Sequence, residues 1–172
     1  MQPFNFQDDR ATANPAYMTL TGKAQGLISA GCSTQDSIGN KCQAGHRDEI
    51  MVLSFNHLME HIGNSSRATH QPIMITKNID KSSPLLAQAL ASLEQVDCTI
   101  TFYRVSAYGV QEKFFTVEAT GARISRLVVD MPHAILESDD DAQEQVSIRY
   151  RDIRWVHHLA GTTGYSSWGD SE

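Results

Sequence analysis

The chain has 172 residues, of which 41% are hydrophobic and 20% charged, and this suits one globular domain with a sizeable core. With 14 Lys and Arg against 20 Asp and Glu, the formal charge is −6, which argues against nucleic acid or an anionic membrane surface as partner. No apolar run is long enough to span a bilayer, and Met1–Leu20 lacks the basic and apolar regions of a secretory signal, so a cytoplasmic origin without membrane insertion is expected.

Residues 1–15 are polar and aperiodic, with two prolines, and read as a flexible extension or a cloning remnant; residues 16–172 then form the single domain. In "AYMTLTG", Tyr17, Thr19 and Thr21 alternate with Met18 and Leu20, and "QGLISAG" follows closely enough to close a hairpin. "DEIMVLSFNHL" sets Met51, Leu53 and Phe55 on one face and Val52, Ser54 and Asn56 on the other, so the first set is expected in the core. "HQPIMITKNI" is a further strand with Pro72 near its start. "KSSPLLAQALASLEQ" is the one clear helix: Ser83 is placed to cap it, Pro84 suits its first position, and Leu86, Ala89, Leu90 and Leu93 form its apolar stripe.

"DCTITFYRVS" and "QEKFFTVEA" flank a turn at "AYG", and "ARISRLVVDM" continues the meander. "PHAILESDDDAQEQ" reads as a solvated acidic loop, since Asp139, Asp140 and Asp141 lack the spacing and glycine of a calcium loop. In "QVSIRYRDIRWVHH", Val146, Ile148 and Tyr150 keep one phase while Ile153 and Trp155 keep the other. A bulge or bend near Arg151 and Asp152 would return both sets to the core and curl the sheet. About eight or nine strands and one helix therefore predict a mainly β fold, a curled antiparallel barrel or sandwich.

Sites of chemistry are hard to find. "GHRDEI" brings His46, Asp48 and Glu49 together, with His46 and Asp48 sharing a face if extended. His57 and His61 would share a metal only on a helix, and His70 and His133 stand alone. His157 and His158 are adjacent on a strand and point to opposite faces, so they do not share one metal. Cys32, Cys42 and Cys98 lack metal spacing or a partner base and read as reduced structural thiols. No nucleophile elbow or phosphate loop is present, so no catalytic, metal or cofactor residue is assigned. The enzyme alternative is a metal-dependent hydrolase using His46, Asp48 and one of His133, His157 or His158.

Seven segments in order, "YMTLTGKAQGLISAG", "STQDSIGN", "GHRDEIMVLSF", "ITKNIDKSSPLLAQALA", "FYRVSAYGVQEKFFTV", "MPHAI" and "YRDIRWVHHLAGTTGYSSW", resemble the Hcp family, the hemolysin-coregulated tube proteins of bacterial type VI secretion systems. The resemblance spans about residues 16–168. It implies a non-enzymatic protein without cofactor that forms hexameric rings, which stack with themselves into a tube. Its partners would be a spike protein, a contractile sheath and baseplate, and effector proteins in the lumen, with export from the bacterial cytoplasm through that machine. A tail-tube-like protein of another contractile injection machine is the nearer alternative. In the family the strand after "GHRDEI" contributes to the lumen, which makes Ser54 and Asn56 candidates for effector contact. Lys81, Ser82 and Ser83 before the helix, and Trp155, Tyr165 and Trp168 in the last strands, are candidates for contacts between protomers or rings, since exposed loops and strand ends readily add to a neighbour.

Overall fold

A computed structural model describes residues 14–169; the extension expected over 1–15 lies almost wholly outside them. Eleven strands and two α-helices follow one another along these residues. The strands are β1 (Ala16–Gly22), β2 (Gly26–Leu27), β3 (Ile50–Asn56), β4 (Met59–Glu60), β5 (Thr69–His70), β6 (Ile73–Asn78), β7 (Val96–Val105), β8 (Gln111–Asp130), β9 (Gln143–Arg149), β10 (Asp152–His157) and β11 (Thr162–Ser167). The helices are α1 (Gln35–Ile38), followed by a 3-10 turn over Gly39–Lys41, and α2 (Ser83–Ser92).

Nine strands form one antiparallel sheet in the order β11-β10-β8-β7-β1-β3-β6-β9, with β2 paired to β1. Pairing of β9 with the second half of β8 returns the path on itself, so the sheet curls into a ring of paired strands. Inside lie Met18, Leu20, Ile50, Ile73, Ile75, Ile100, Ile124 and Ile148, each at most 1% exposed. Leu86 and Ala89 of α2 add the buried part of the helical stripe, as their spacing predicts.

The predicted hairpins form. β1 turns into β2 through the register Gly22↔Gly26, and β7 into β8 through a turn in which Gly109 takes φ +75. The phase slip at Arg151 and Asp152 is also present: β9 ends at Arg149, β10 begins at Asp152, and Tyr150 and Ile153 are both buried. The bend is matched across the sheet. Gly121 of β8 takes φ +58 where the register with β7 shifts, and Arg151 N–H donates to Thr120 O at 3.2 Å. A Cβ on Gly121 would meet Arg151 Cβ at 3.1 Å, so the positive φ and the close approach both select glycine.

Several expectations are corrected. In β3 it is Ile50 and Val52 that are buried, while Leu53 is 42% exposed. A register shift between Val52 and Ser54 inserts Leu53 into the strand, which changes the phase and lets Phe55 pack against the core. "QEKFFTVEA" and "ARISRLVVDM" are halves of the one strand β8, bent at Gly121, with β7 along the first half and β9 along the second. A second short helix, α1, forms in "STQDSIGN". Ser82, not Ser83, holds the N-cap position of α2, and Leu93 leaves the apolar stripe as a left-handed C-cap, 62% exposed.

Candidate functional site

The outer face of β3 presents Ser54 and Asn56, both exposed, opposite Thr76 and Met74 of β6. Thr76 in turn faces Gln145 of β9, so Ser54, Thr76 and Gln145 lie in one row across three strands. Their neighbours Ile75, Lys77, Glu144 and Val146 point inward and are buried. The alternation of β6 and β9 thus produces a polar outer stripe over a buried wall in which Ile75 and Val146 flank the Lys77–Glu144 pair.

The loop into α2 is less open than its composition suggests. Lys81 is exposed, and its N–H donates to Ser37 Oγ at 2.9 Å. Ser82 has no exposed surface and its Oγ donates to Asp80 Oδ1 at 2.5 Å. Ser83 is half-buried; its Oγ donates to Glu144 Oε1 at 2.7 Å and accepts from Asp80 N–H at 3.0 Å. Beneath them Lys77 Nζ, fully buried, bonds Glu144 Oε1, and it reaches Asp80 Oδ1 and Asn78 O, each at 3.0 Å. The only trace of this network in the sequence is a lysine at the third core position of Ile73, Ile75, Lys77.

At the other end, β11 pairs on one side only, with β10, and its outer edge has no strand partner among the described residues. Tyr165 is 67% exposed, its hydroxyl donating to Asp152 Oδ1 at 2.6 Å. That bond and the Arg151 guanidinium hold the Asp152 carboxyl below its usual range. Trp155 is half-buried on β10 with its ring 6.4 Å from His57. Trp168 packs against Tyr150, ring centroids 5.0 Å apart, and lies under the Arg149 guanidinium at 4.8 Å.

Of the histidines only His57 and His70 come together, both on the Tyr150 hydroxyl, among the described residues. His46 Nδ1 meets Glu49 Oε2 at 2.5 Å, and its ring stacks on Tyr17 at 3.6 Å, whereas Asp48 accepts from Gly31 N–H. The pair expected on one face was His46 with Asp48; the segment is a loop, not a strand, and its turn brings Glu49 back instead. Burial and the Glu49 carboxylate push the Tyr17 hydroxyl up to about 12. His61 is exposed, whereas His57 Nε2 meets the Tyr150 hydroxyl at 2.8 Å. His158 bonds Thr116 at 2.6 Å, while His157 accepts from Ala160 N–H on the other face. Among the described residues no group of three or more His, Cys, Asp or Glu is placed to hold a metal ion, and no helix is long and apolar enough to cross a membrane. Cys32 and Cys98 are buried, which raises their thiols to about 11 and about 12, and Cys42 is half-buried.

Comparison with known proteins places this geometry. Residues 17–157 match the family model described as type VI secretion system effector, Hcp. The chain is 40% identical over 169 residues to the major exported protein of Pseudomonas aeruginosa, covering 91% of this chain and 96% of that one. A solved structure described as the crystal structure of an Hcp protein matches with a TM-score of 0.87 at 35% identity, over 92% of this chain and 100% of that one. The secreted protein Hcp3 from Pseudomonas aeruginosa matches with a TM-score of 0.81 at 42% identity, over the same shares. A mainly β protein with a curled sheet and two helices, matched along most of its length, the chain belongs to the Hcp family of type VI secretion proteins.

Proposed function

We propose that this protein is a tube subunit: it forms hexameric rings with itself, the rings stack, and the stack leaves the bacterial cytoplasm with a spike protein when a contractile sheath on its baseplate fires. The observation that most supports self-assembly is the one-sided pairing of β11. An antiparallel strand with an unpaired edge readily adds a neighbouring strand, and contact between two different surfaces of identical protomers closes a ring. Exposed Tyr165 and Leu159 on the same hairpin, and Lys81 at the entry to α2, are the side chains offered to such neighbours. Trp155 and Trp168 lie half-buried behind them.

The test is whether the protein reaches the culture medium only from cells with an intact sheath, and whether purified protein forms rings in electron micrographs. Sheath-independent export, or dispersed monomers at high concentration, would overturn the reading. Removal of residues 161–172 is expected to weaken assembly more than protomer folding; normal assembly of the truncated chain would exclude the β11 edge.

The row Ser54, Thr76 and Gln145, with Asn56 beside it, supports a second role for the same ring, as a carrier of effector proteins in its lumen. Ser54→Arg or Asn56→Arg is expected to leave rings intact and to lower the cargo recovered with them. Unchanged cargo would mean that this face is not the lumen.

A further inference from the structure

Tyr150 follows β9 with its side chain 3% exposed, and its hydroxyl lies between two imidazoles. It is 2.8 Å from His57 Nε2 and 2.6 Å from His70 Nδ1. His70, 4% exposed, extends the chain through Nε2 to Ser166 Oγ of β11 at 3.1 Å. Trp168 stacks on His70, ring centroids 5.9 Å apart, and packs against Tyr150. Segment 57–71, which carries β4 and β5, is therefore fastened to the end of the sheet through these side chains.

The proton count of this chain is constrained. A phenol hydroxyl has one hydrogen, so between two ring nitrogens it donates to one and accepts from the other. One of the facing nitrogens is then bare, and two neutral imidazoles satisfy every group along the chain. When both imidazoles are protonated, two N–H groups face the Tyr150 oxygen, its own hydrogen loses its acceptor, and two cations flank one buried atom. Two arginines lie near the cluster. Arg149 lies over Trp168, and Arg67 borders the small cleft shared by His70, Ser166 and Gly169. No carboxylate among the described residues bonds either ring. Burial holds both imidazoles below their usual proton affinity, and His70 depresses His57 further against the opposing Gln71 backbone.

We propose that His57, Tyr150 and His70 form an acid-sensitive latch that holds β11 and Trp168 against segment 57–71 and opens when both imidazoles are protonated, while the rest of the sheet stays paired. Release stays local because β11 is bonded to β10 alone and most of its residues are exposed, which places it at the low-stability end of the fold. A loss of ring contacts in acid would follow only if the tube reading holds; the latch itself belongs to the protomer.

The full chain would be followed from about pH 8 to about pH 5 by hydrogen exchange of residues 162–168, corrected for the intrinsic pH dependence of exchange, and by tryptophan emission. Below about pH 6.5 these amides are expected to exchange roughly tenfold faster with a red-shifted emission, while β3 and β6 peptides hold their protection. His57→Gln and His70→Gln each remove one of the two charges and should abolish the transition. His57 is the less buried, so His57→Gln serves if the other variant does not fold. Unchanged protection of 162–168 down to about pH 5, or the same transition in His57→Gln, overturns the latch. Micrographs of the same samples separate the two readings: rings absent at every pH overturn the tube and leave the latch readout standing.

Discussion

Two of the clusters of buried polar side chains answer to different conditions. Under α2, Lys77 meets Glu144, Asp80, Asn78 and Ser83, a charged cluster whose pairing ties β6, β9 and the helix entry together. Beneath the last strand, His57, Tyr150 and His70 share protons among groups that are neutral when the chain is satisfied. A buried ion pair fails when one partner is removed, because the other charge is left without compensation. A neutral histidine cluster fails when protons are added. The wall of the fold is thus tested by removing one partner of a charged pair, and its terminal strand by adding protons.

The sharpest way to break that contrast is Lys77→Met or Glu144→Leu alone, each expected to cost ~3–5 kcal/mol in denaturant unfolding. Both together should recover only part of the loss, because Asp80 is left buried without its cation, and a single change no worse than a surface substitution would mean the pair is not holding the wall. Next in size is Tyr150→Phe, which strips the shared hydroxyl from the buried His70 and the half-buried His57, for a loss of ~1–3 kcal/mol at neutral pH. The pH dependence follows from the direction of the histidine shifts. Both imidazoles bind protons less readily folded than unfolded, so stability is full above about pH 6.5 and declines as pH falls through that value toward the folded-state affinities. Urea midpoints at a series of pH values would show this decline, and its absence in the His57→Gln, His70→Gln double variant would assign it.

Two smaller effects test the frame around these clusters. Alkylation at mild pH should label Cys42 first and leave Cys32 and Cys98 nearly untouched, since burial raises both thiols to about 11 and about 12; fast labelling of Cys98 would mean that the sheet opens readily. Leu93→Gly should raise stability by ~1 kcal/mol, because Leu93 sits at φ 54 and little of its side chain is buried.

The strands and α2 were legible because each is announced locally: alternation in "AYMTLTG", Pro84 with Leu86 and Ala89, and the two phases on either side of Arg151. The phase of β3 departs from its local pattern for the same reason. Alternation alone favoured Met51, Leu53 and Phe55, and nothing in the sequence marks Leu53 as the inserted residue; pairing with β6 decides it. The outward placement of Ser54 and Asn56 agrees with their assignment to the face turned away from the core. Burial of Ser82 has no such local sign, because its partner Asp80 draws it inward across a turn.

What the sequence by itself determined is the class of the molecule: a mainly β domain with one substantial helix, a bend before the last strands, and a resemblance spread over seven segments that the family comparison bears out. These are properties of short windows, where period and turn chemistry act over a few residues. The tertiary structure alone decided which polar residues meet. Lys77 and Glu144 are 67 residues apart, and Tyr150 lies 93 from His57 and 80 from His70. Contacts at that separation arise from curling of the sheet, and a lone lysine or histidine carries no local sign of the partner that the curl will bring to it.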